Sequence, residues 1–139
     1  MKRVALLLVA LSLLLLVACG GGGERQGGGS TTIEKAPATA LTATEAIQHI
    51  GSRKTVCGDV ESPTYARSSR GQPTFLNLDR PFPNQIFTVV IWGSNRSNFP
   101  QAPESMYRDE RICATGLIES FRGVPQIDAT RASQIQIVR

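Results

Sequence analysis

Two apolar runs near the middle of the chain have the residue types of β-strands. The first is Thr74–Leu78, and the second, Ile86–Trp92, consists almost wholly of β-branched and aromatic residues, which a sheet interior prefers. The segment between them, Asp79–Gln85, holds two prolines and an asparagine, which favour a turn and interrupt backbone pairing. Gly93 ends the second run. The pattern therefore predicts a β-hairpin with a wide, stiff loop.

Polar and apolar residues alternate along two further segments, which predicts two long strands. They are Thr55–Glu61 and Arg111–Phe121, and each contains an interior glycine, Gly58 and Gly116 respectively. A glycine inside a strand indicates a sharp bend or a bulge. The remaining predicted features are a tight turn at Arg122-Gly123 and shorter strands at Val124–Asp128 and Ile135–Val138.

Two short helices are predicted outside the strands. Thr42 and Glu45 have the spacing of a capping box, and Gly51 suits the position that follows the last helical residue. His49, the only histidine, falls in this helix with no evident partner, so we expect a solvated side chain rather than a ligand or a base. Prolines restrict the second helix to Pro103–Tyr107, between the third and fourth strands.

The order of these elements is strand, strand, strand, short helical connection, strand, strand. That order is the plan of the OB-fold, a five-stranded Greek-key barrel whose long strands coil around a closed core. We therefore predict an all-β domain of this class, with a short N-terminal helix and a short helical connection between strands three and four.

The strand sequences also resemble one branch of the OB-fold. They are similar to small bacterial OB domains related to tRNA-anticodon-binding barrels, some of which accompany secreted nucleases. The resemblance covers residues 42–139 and implies nucleic acid as a ligand class. No Asp/Glu/Arg/His cluster of a nuclease occurs in this sequence. The segments that carry the resemblance are Thr55–Val60, Pro73–Leu78, Phe87–Trp92, Gly116–Glu119 and Gly123–Ile127.

The N-terminus has the pattern of a targeting segment. Lys2 and Arg3 precede an apolar stretch, Val4–Val17, that is too short to span a bilayer comfortably. The stretch leads into Leu16-Val17-Ala18-Cys19, which resembles a bacterial lipobox at all four positions. The resemblance implies a diacylglyceryl group on the Cys19 thiol, cleavage before it and acylation of the new amine. The alternative is an ordinary signal peptide with a cysteine at its end by chance.

The lipobox predicts three regions and an address outside the cytoplasm. Residues 1–18 are the predicted signal peptide, residues 19–41 a lipidated linker rich in glycine, serine and threonine, and residues 42–139 the OB domain. Some 20 such residues behave as a coil with a reach of roughly 25 Å. Gly20 follows the cysteine where an aspartate would resemble an inner-membrane retention signal, so an outer-membrane location is expected in a Gram-negative cell, facing the periplasm or the surface.

The charge of the chain is only weakly basic. The formal net charge is +4, and without Lys2 and Arg3 there remain 13 basic and 11 acidic residues, a net charge of +2. A protein that coats DNA usually has a stronger excess. The net charge is therefore compatible with a nucleic-acid ligand but is not by itself evidence for one.

Cys57 and Cys113 remain once the lipidated cysteine is set aside. Their spacing fits no zinc pattern, and a catalytic cysteine would need a base that the sequence does not place. An exported domain permits oxidation. In an OB barrel the first and fourth strands are antiparallel neighbours, so we predict a disulfide between outward-facing thiols, with Cα atoms closer than about 7 Å.

Two classes of function remain open. One is a binding module for single-stranded nucleic acid or a similar extended polymer, and the other is a protein-interaction adaptor of the cell envelope. We expect no catalytic activity, no cofactor and no metal, because no nucleophile, base and charge-stabilising group are placed together.

OB barrels bind across strands two and three and the adjoining loops. The candidate ligand-binding residues are therefore Tyr65, Arg67, Arg70, Phe75, Asn77, Thr88, Trp92, Phe121 and Arg122.

For the two aromatic residues on the strands, Phe75 and Trp92, the alternative to ligand binding is a place in the barrel core. A shift of one residue in register would turn Phe75 and Trp92 from the outer face into the core. The sequence leaves both placements open for each ring, and the arginines are expected to be solvated in either case.

Overall fold

The computed structural model describes residues 34–139. The predicted signal peptide, the lipidation residue Cys19 and most of the predicted linker lie outside the described residues. Seven strands follow in chain order: β1 (Leu41–Thr42), β2 (Arg53–Tyr65), β3 (Thr74–Leu78), β4 (Phe87–Ile91), β5 (Arg111–Phe121), β6 (Val124–Asp128) and β7 (Ile135–Ile137). The helical elements are one α-helix, α1 (Pro103–Met106), and 3₁₀-helices at Glu45–His49, Gly93–Asn98 and Ala132–Gln134.

Five of these strands close into a barrel in the order β2-β3-β4-β6-β5, with β5 pairing back onto β2. The β4–β6 pair is parallel and the other barrel pairs are antiparallel. This is the Greek-key order of an OB-fold, and α1 lies between the third and fourth barrel strands as predicted. The predicted fold class is confirmed.

Glycines mark the points at which the two long strands change partners. β2 pairs with β5 from Arg53 to Asp59 and with β3 from Val60 onward. A Cβ atom at Gly58, just before that change, would lie 2.9 Å from the Cβ of Leu78. On β5 the change falls next to Gly116, where a Cβ atom would overlap Ile127. Both glycines therefore permit a close approach of neighbouring strands, where the sequence predicted a sharp bend or a bulge.

The barrel interior is filled by apolar side chains from every barrel strand. Tyr107, which follows α1, is completely buried and packs edge-on against Phe99, with ring centroids 6.5 Å apart. The fully buried strand residues of this cluster include Val56, Leu76, Leu78, Phe87, Val89, Ile91, Ile112, Ile118 and Ile127. Their alternation leaves the intervening residues of each strand on the outer face.

The predicted N-terminal helix is a five-residue 3₁₀-helix, Glu45–His49. The two reciprocal hydrogen bonds of a capping box are present: the Thr42 amide donates to Glu45 Oε2 at 2.8 Å, and the Glu45 amide donates to Thr42 Oγ1 at 3.3 Å. The helix itself begins at Glu45, so Thr44 rather than Thr42 occupies the N-cap position. The hydrogen bond from the Thr42 amide holds the pKa of Glu45 below its usual value. A 3₁₀-helix has three residues per turn, and its apolar residues do not share one face here: Ala46 is buried and Ile47 is exposed.

The chain packs against the barrel before the predicted domain start at Thr42. Leu41 pairs with Val56 in a parallel β1–β2 ladder, and Glu34 forms a bridge with Val138. The last part of the predicted linker thus lies along the outside of the β2–β5 seam. None of the described helices is long and apolar enough to cross a membrane.

The predicted disulfide is present between Cys57 and Cys113, which are direct partners in the β2–β5 ladder. Their Cα atoms are 4.0 Å apart, within the predicted limit. Both cysteines face away from the barrel core, as predicted, but they are buried rather than exposed. The physical reason is that Val138 and the chain around Ala36 and Ala40 cover them.

Candidate ligand groove

Four neighbouring barrel strands present one continuous outer face. Asn77 on β3 pairs with Thr88 on β4, Thr88 with Gln126 on β6, and Gln126 with Glu119 on β5. Directly paired residues project to the same side of a sheet. Their sequence neighbours, such as Leu76, belong to the core, so this row faces outward.

A groove of about 380 Å³ opens on this face. It lies where β3, β4 and β6 are flanked by the Asp79–Gln85 loop and by the β5–β6 hairpin. The apolar residues that line it are Ala66, Phe75, Phe82, Phe121 and Val124. The polar residues that line it are Thr64, Asn77, Gln85, Thr88, Gln126 and Arg122.

Aromatic rings form the walls of the groove. Phe82, in the loop before β4, is 74% exposed, and Phe121, at the end of β5, is 60% exposed. Phe75 is partly buried in the wall on β3. Scattered apolar residues on a surface are ordinary, but rings that share one groove form an apolar patch of the kind found at binding sites. The rings are therefore available to stack on or enclose a ligand.

The floor of the groove is polar and partly satisfied internally. Thr88 Oγ1 donates to Asn77 Oδ1 at 3.0 Å, and Gln126 Nε2 donates to Asp128 Oδ1 at 3.1 Å. These bonds orient both amides and leave the Asn77 NH₂ group and the Gln126 carbonyl oxygen without another protein partner among the described hydrogen bonds. The floor thus offers the N–H donors of the Asn77 amide and the carbonyl acceptor of Gln126 to a ligand.

Arg122 is the single cationic residue among those that line the groove in the described part of the chain. It occupies the turn between β5 and β6 with φ +52°, and Gly123 follows with φ +83°. Two consecutive positive φ values are those of a type I′ hairpin turn. The guanidinium carbon lies 5.3 Å from the centroid of the Phe121 ring. Neither of the two ion pairs found in residues 34–139 involves Arg122.

The groove brings together five of the nine candidate ligand-binding residues. They are Phe75, Asn77, Thr88, Phe121 and Arg122. The other four, Tyr65, Arg67, Arg70 and Trp92, lie outside its lining. The alternative that placed both strand aromatics in the core does not hold, since Phe75 is only partly buried and Trp92 is 38% exposed.

Trp92 is held against the outer surface by two neighbours. Its Nε1 donates to Asp128 Oδ2 at 2.7 Å. A Cβ atom at Gly71 would lie 3.0 Å from its six-membered ring, so the backbone of Gly71 lies against the indole. One ring face is therefore covered by protein, and the indole is fixed in place beside the groove rather than inside it.

Tyr65 belongs to a charged cluster rather than to the groove. The guanidinium carbon of Arg96 lies 3.7 Å from its ring centroid, and that of Arg67 lies 5.4 Å away. Arg96 also donates to Thr74 Oγ1 and to both carboxylate oxygens of Glu104, at 2.7 and 3.1 Å. The hydrogen bonds between them raise the pKa of Arg96 and lower that of Glu104.

Sequence reasoning missed six of the residues that line the groove: Thr64, Ala66, Phe82, Gln85, Val124 and Gln126. Phe82 stands between two prolines in a segment interpreted only as a turn, although an aromatic residue in an otherwise polar loop is itself a signal. Gln85 ends the same loop. Gln126 alternates with the buried Ile127, so its outward direction was readable once β6 was assigned. Among residues 34–139, no group of histidine, cysteine and carboxylate side chains is arranged to hold a metal ion.

No family model and no curated protein matches the chain. The solved structures that resemble it include OBody AM1L10 bound to hen egg-white lysozyme, OBody AM3L15 bound to hen egg-white lysozyme, and a chain described as an aspartyl-tRNA synthetase from Leishmania major Friedlin. Their identities are 15%, 16% and 10%, and their TM-scores are 0.49, 0.48 and 0.45.

These likenesses cover 76%, 75% and 78% of this chain, and 99%, 97% and 22% of the respective structures. Similarities at this level say nothing about what this chain binds. The assignment to the OB-fold rests on the strand order and the barrel closure described above.

Proposed function

We propose that the protein is a non-catalytic, lipid-anchored OB-fold module whose groove receives unpaired bases of a single-stranded nucleic acid. The observation that supports this most is the groove itself: Phe75, Phe82 and Phe121 surround an amide-bearing floor on the outer face of β3, β4 and β6. That face is the one on which OB barrels commonly bind oligonucleotides.

Each part of the groove suits one part of a nucleotide. An exposed ring such as Phe82 or Phe121 stacks on a base, which contributes about 1–3 kcal/mol per base. The free amide groups of Asn77 and Gln126 suit the polar edges of a base. Arg122 lies at the rim, where a backbone phosphate passes. The groove is near the small end of known ligand sites, so it accommodates a short part of a strand.

A second candidate is a protein-interaction adaptor, and the charge of the groove favours it. Arg122 is the one cation in the lining, and two carboxylates lie at the ends of the floor row: Glu61 pairs with Asn77, and Glu119 pairs with Gln126. An aromatic patch with one arginine and few other charges is also the composition of many protein interfaces. The occupant would then be an apolar segment of an envelope protein.

The anchor and the lack of catalysis belong to the same proposal. Leu16-Val17-Ala18-Cys19 supports lipidation, and the glycine-rich composition after it supports a linker between the lipid and the domain, at the outer side of a membrane. Within the described residues the groove is lined by no carboxylate, histidine or cysteine, so no acid–base pair or nucleophile faces a bound ligand.

The two exposed rings provide the test. Phe82→Ala and Phe121→Ala should fold normally, because both side chains lie mostly in solvent. Each should weaken binding of a fluorescent single-stranded oligonucleotide to the full chain, purified in detergent, by about fivefold or more. Ile47→Ala is the matched control, because Ile47 is exposed but does not line the groove. If the full chain binds no single strand at low salt, the adaptor function replaces this one.

A further inference from the structure

One polar atom in the groove wall is buried without a partner. Gln85 Oε1 is shielded from solvent and accepts no hydrogen bond from the described residues. An acceptor in this state destabilises the free protein, because it has lost its hydrogen bond to water and gained none in return. Gln85 lines the groove, so a rotation of its terminal amide would bring Oε1 to an N–H or O–H group of a ligand and satisfy it.

A second feature that lowers the stability of the free protein lies at the same groove. Arg122 has φ +52°, in the left-handed region that glycine and asparagine occupy much more readily than other residues. Four other non-glycine residues have similar φ values, and none of them lines the groove. Asp79 (+61°) and Asp109 (+58°) are of a type that tolerates such values, whereas Ser62 (+49°) and Gln72 (+46°) are not. The turn therefore holds an arginine where a small residue would fit with less strain.

Local costs of this kind concentrate at functional sites, because binding compensates for what the free structure loses. In the described residues there is one other buried side-chain oxygen without a partner, the hydroxyl of Tyr107, and it lies in the barrel core. Gln85 and Arg122 share a single groove with three phenylalanines. The unpartnered acceptor, the arginine and the aromatic rings of this groove together indicate which chemical groups its ligand must have.

We infer that the ligand contains a flat apolar group and an anionic group. The flat group bears a hydrogen-bond donor that pairs with Gln85, and the anionic group pairs with Arg122. Rings, donor and anion together describe a nucleotide unit, with its base between the phenylalanines and its phosphate at the β5–β6 turn. This inference rests on the proposed function and adds the two contacts that determine recognition. It excludes a purely hydrocarbon ligand, which could satisfy neither residue.

The test measures stability and affinity on the same variants. Gln85→Met keeps the side-chain length and removes the unpartnered acceptor, and Arg122→Asn places a tolerant residue in the turn. Each should raise Tm by about 4 °C or more. Each should also weaken binding of oligo(dT) to the full chain in detergent by about tenfold. Arg122→Lys, which keeps the charge, should retain most of the affinity and leave Tm unchanged.

Two controls repeat the same chemical changes away from the groove. Tyr107→Phe removes the other unpartnered oxygen, and Ser62→Asn places a tolerant residue at another position with positive φ. Neither should change affinity for oligo(dT). An abasic strand of the same length provides the ligand control, because it keeps the phosphates and lacks the donor. It should bind wild type more weakly than oligo(dT), and Gln85→Met should not weaken it further.

The outcomes separate the inference from the function on which it rests. If oligo(dT) binds wild type and neither Gln85→Met nor Arg122→Asn weakens it, the inference is wrong and the nucleic-acid function stands. A fall in Tm for both variants would also overturn it, because neither residue would then be a local cost. If no single strand binds wild type at any salt concentration, the proposed function and the inference fail together.

Discussion

Cys57 and Cys113 face each other across the β2–β5 ladder, joining the two strands whose pairing closes the barrel. The bond links positions 56 residues apart and is covered by the chain that leads into the domain. It therefore fixes a long-range contact at the seam where the closed barrel would otherwise open.

The disulfide should contribute a large share of the stability. In the chain-entropy model, a closed loop of this length stabilises by about 4 kcal/mol. We expect the Cys57→Ala/Cys113→Ala variant to unfold at a much lower urea concentration than wild type. Thiol titration of the unfolded, unreduced protein should detect neither cysteine free. Two reactive thiols there, or an unchanged unfolding midpoint in the variant, would contradict the stabilising role.

The Arg96–Glu104 pair should stabilise the connection between β4 and β5. Arg96→Ala removes hydrogen bonds to Glu104 and Thr74 and the contact with the Tyr65 ring, and it leaves a partly buried carboxylate unpaired. We expect a loss of about 2–3 kcal/mol in the free energy of unfolding. Arg108→Ala, an exposed arginine, is the control and should change little.

The same pair should make stability depend on acid pH. The pKa of Glu104 is lowered in the folded protein, so its contribution is present above the unfolded pKa and is lost as pH falls through the folded value. Wild type should therefore lose more stability than Arg96→Ala between neutral and acid pH. Parallel urea titrations across that range make the measurement, and identical pH profiles would contradict it.

Tyr107 should produce a loss of stability at alkaline pH. Burial raises the pKa of its hydroxyl to about 12, above the ordinary value of 10.0. The unfolded chain releases this proton first, so the contribution is complete below pH 10 and is lost as pH rises towards 12, by up to about 2–3 kcal/mol. Tyr107→Phe should flatten that part of the stability profile without lowering stability at neutral pH.

Much of the fold could be predicted from the sequence because its patterns are local. The run Ile86–Trp92 reflects a preference within a few residues, and the strand Phe87–Ile91 lies inside it. The role of Gly58 and Gly116 was predicted less well, because the side chains that approach them, Leu78 and Ile127, come from other strands. The burial of the disulfide was not predictable in this way. It depends on contact between the chain near Ala36 and strands that come later in the sequence.

The candidate site was predictable only in part, for a related reason. Phe75, Asn77 and Thr88 followed from strand alternation, and the groove includes all three. Phe82 and Gln85 lie on a loop, and no periodic pattern tells which way a loop residue points. Tyr65 was expected at the ligand face, but its ring is in contact with the guanidinium group of Arg96, which comes 31 residues later in the sequence.

Lipidation at Cys19 is the prediction that concerns the cell. Cys19→Ala should release the protein from membranes into the soluble fraction, because the lipid would be its only anchor. Cys19 lies outside the described residues, so the prediction rests on the lipobox alone. Fractionation of cells that express each form makes the comparison. A variant that stays fully in the membrane fraction would contradict it.

The salt dependence of single-strand binding tests the central proposal most directly. With Arg122 in the groove and two further arginines, Arg67 and Arg70, nearby in sequence to the groove residue Ala66, one to three phosphate contacts are expected. The logarithm of the affinity of the full chain for oligo(dT) should then fall against the logarithm of salt concentration with a slope of about −0.7 to −2. Absence of measurable binding at the lowest salt concentration would contradict the proposal.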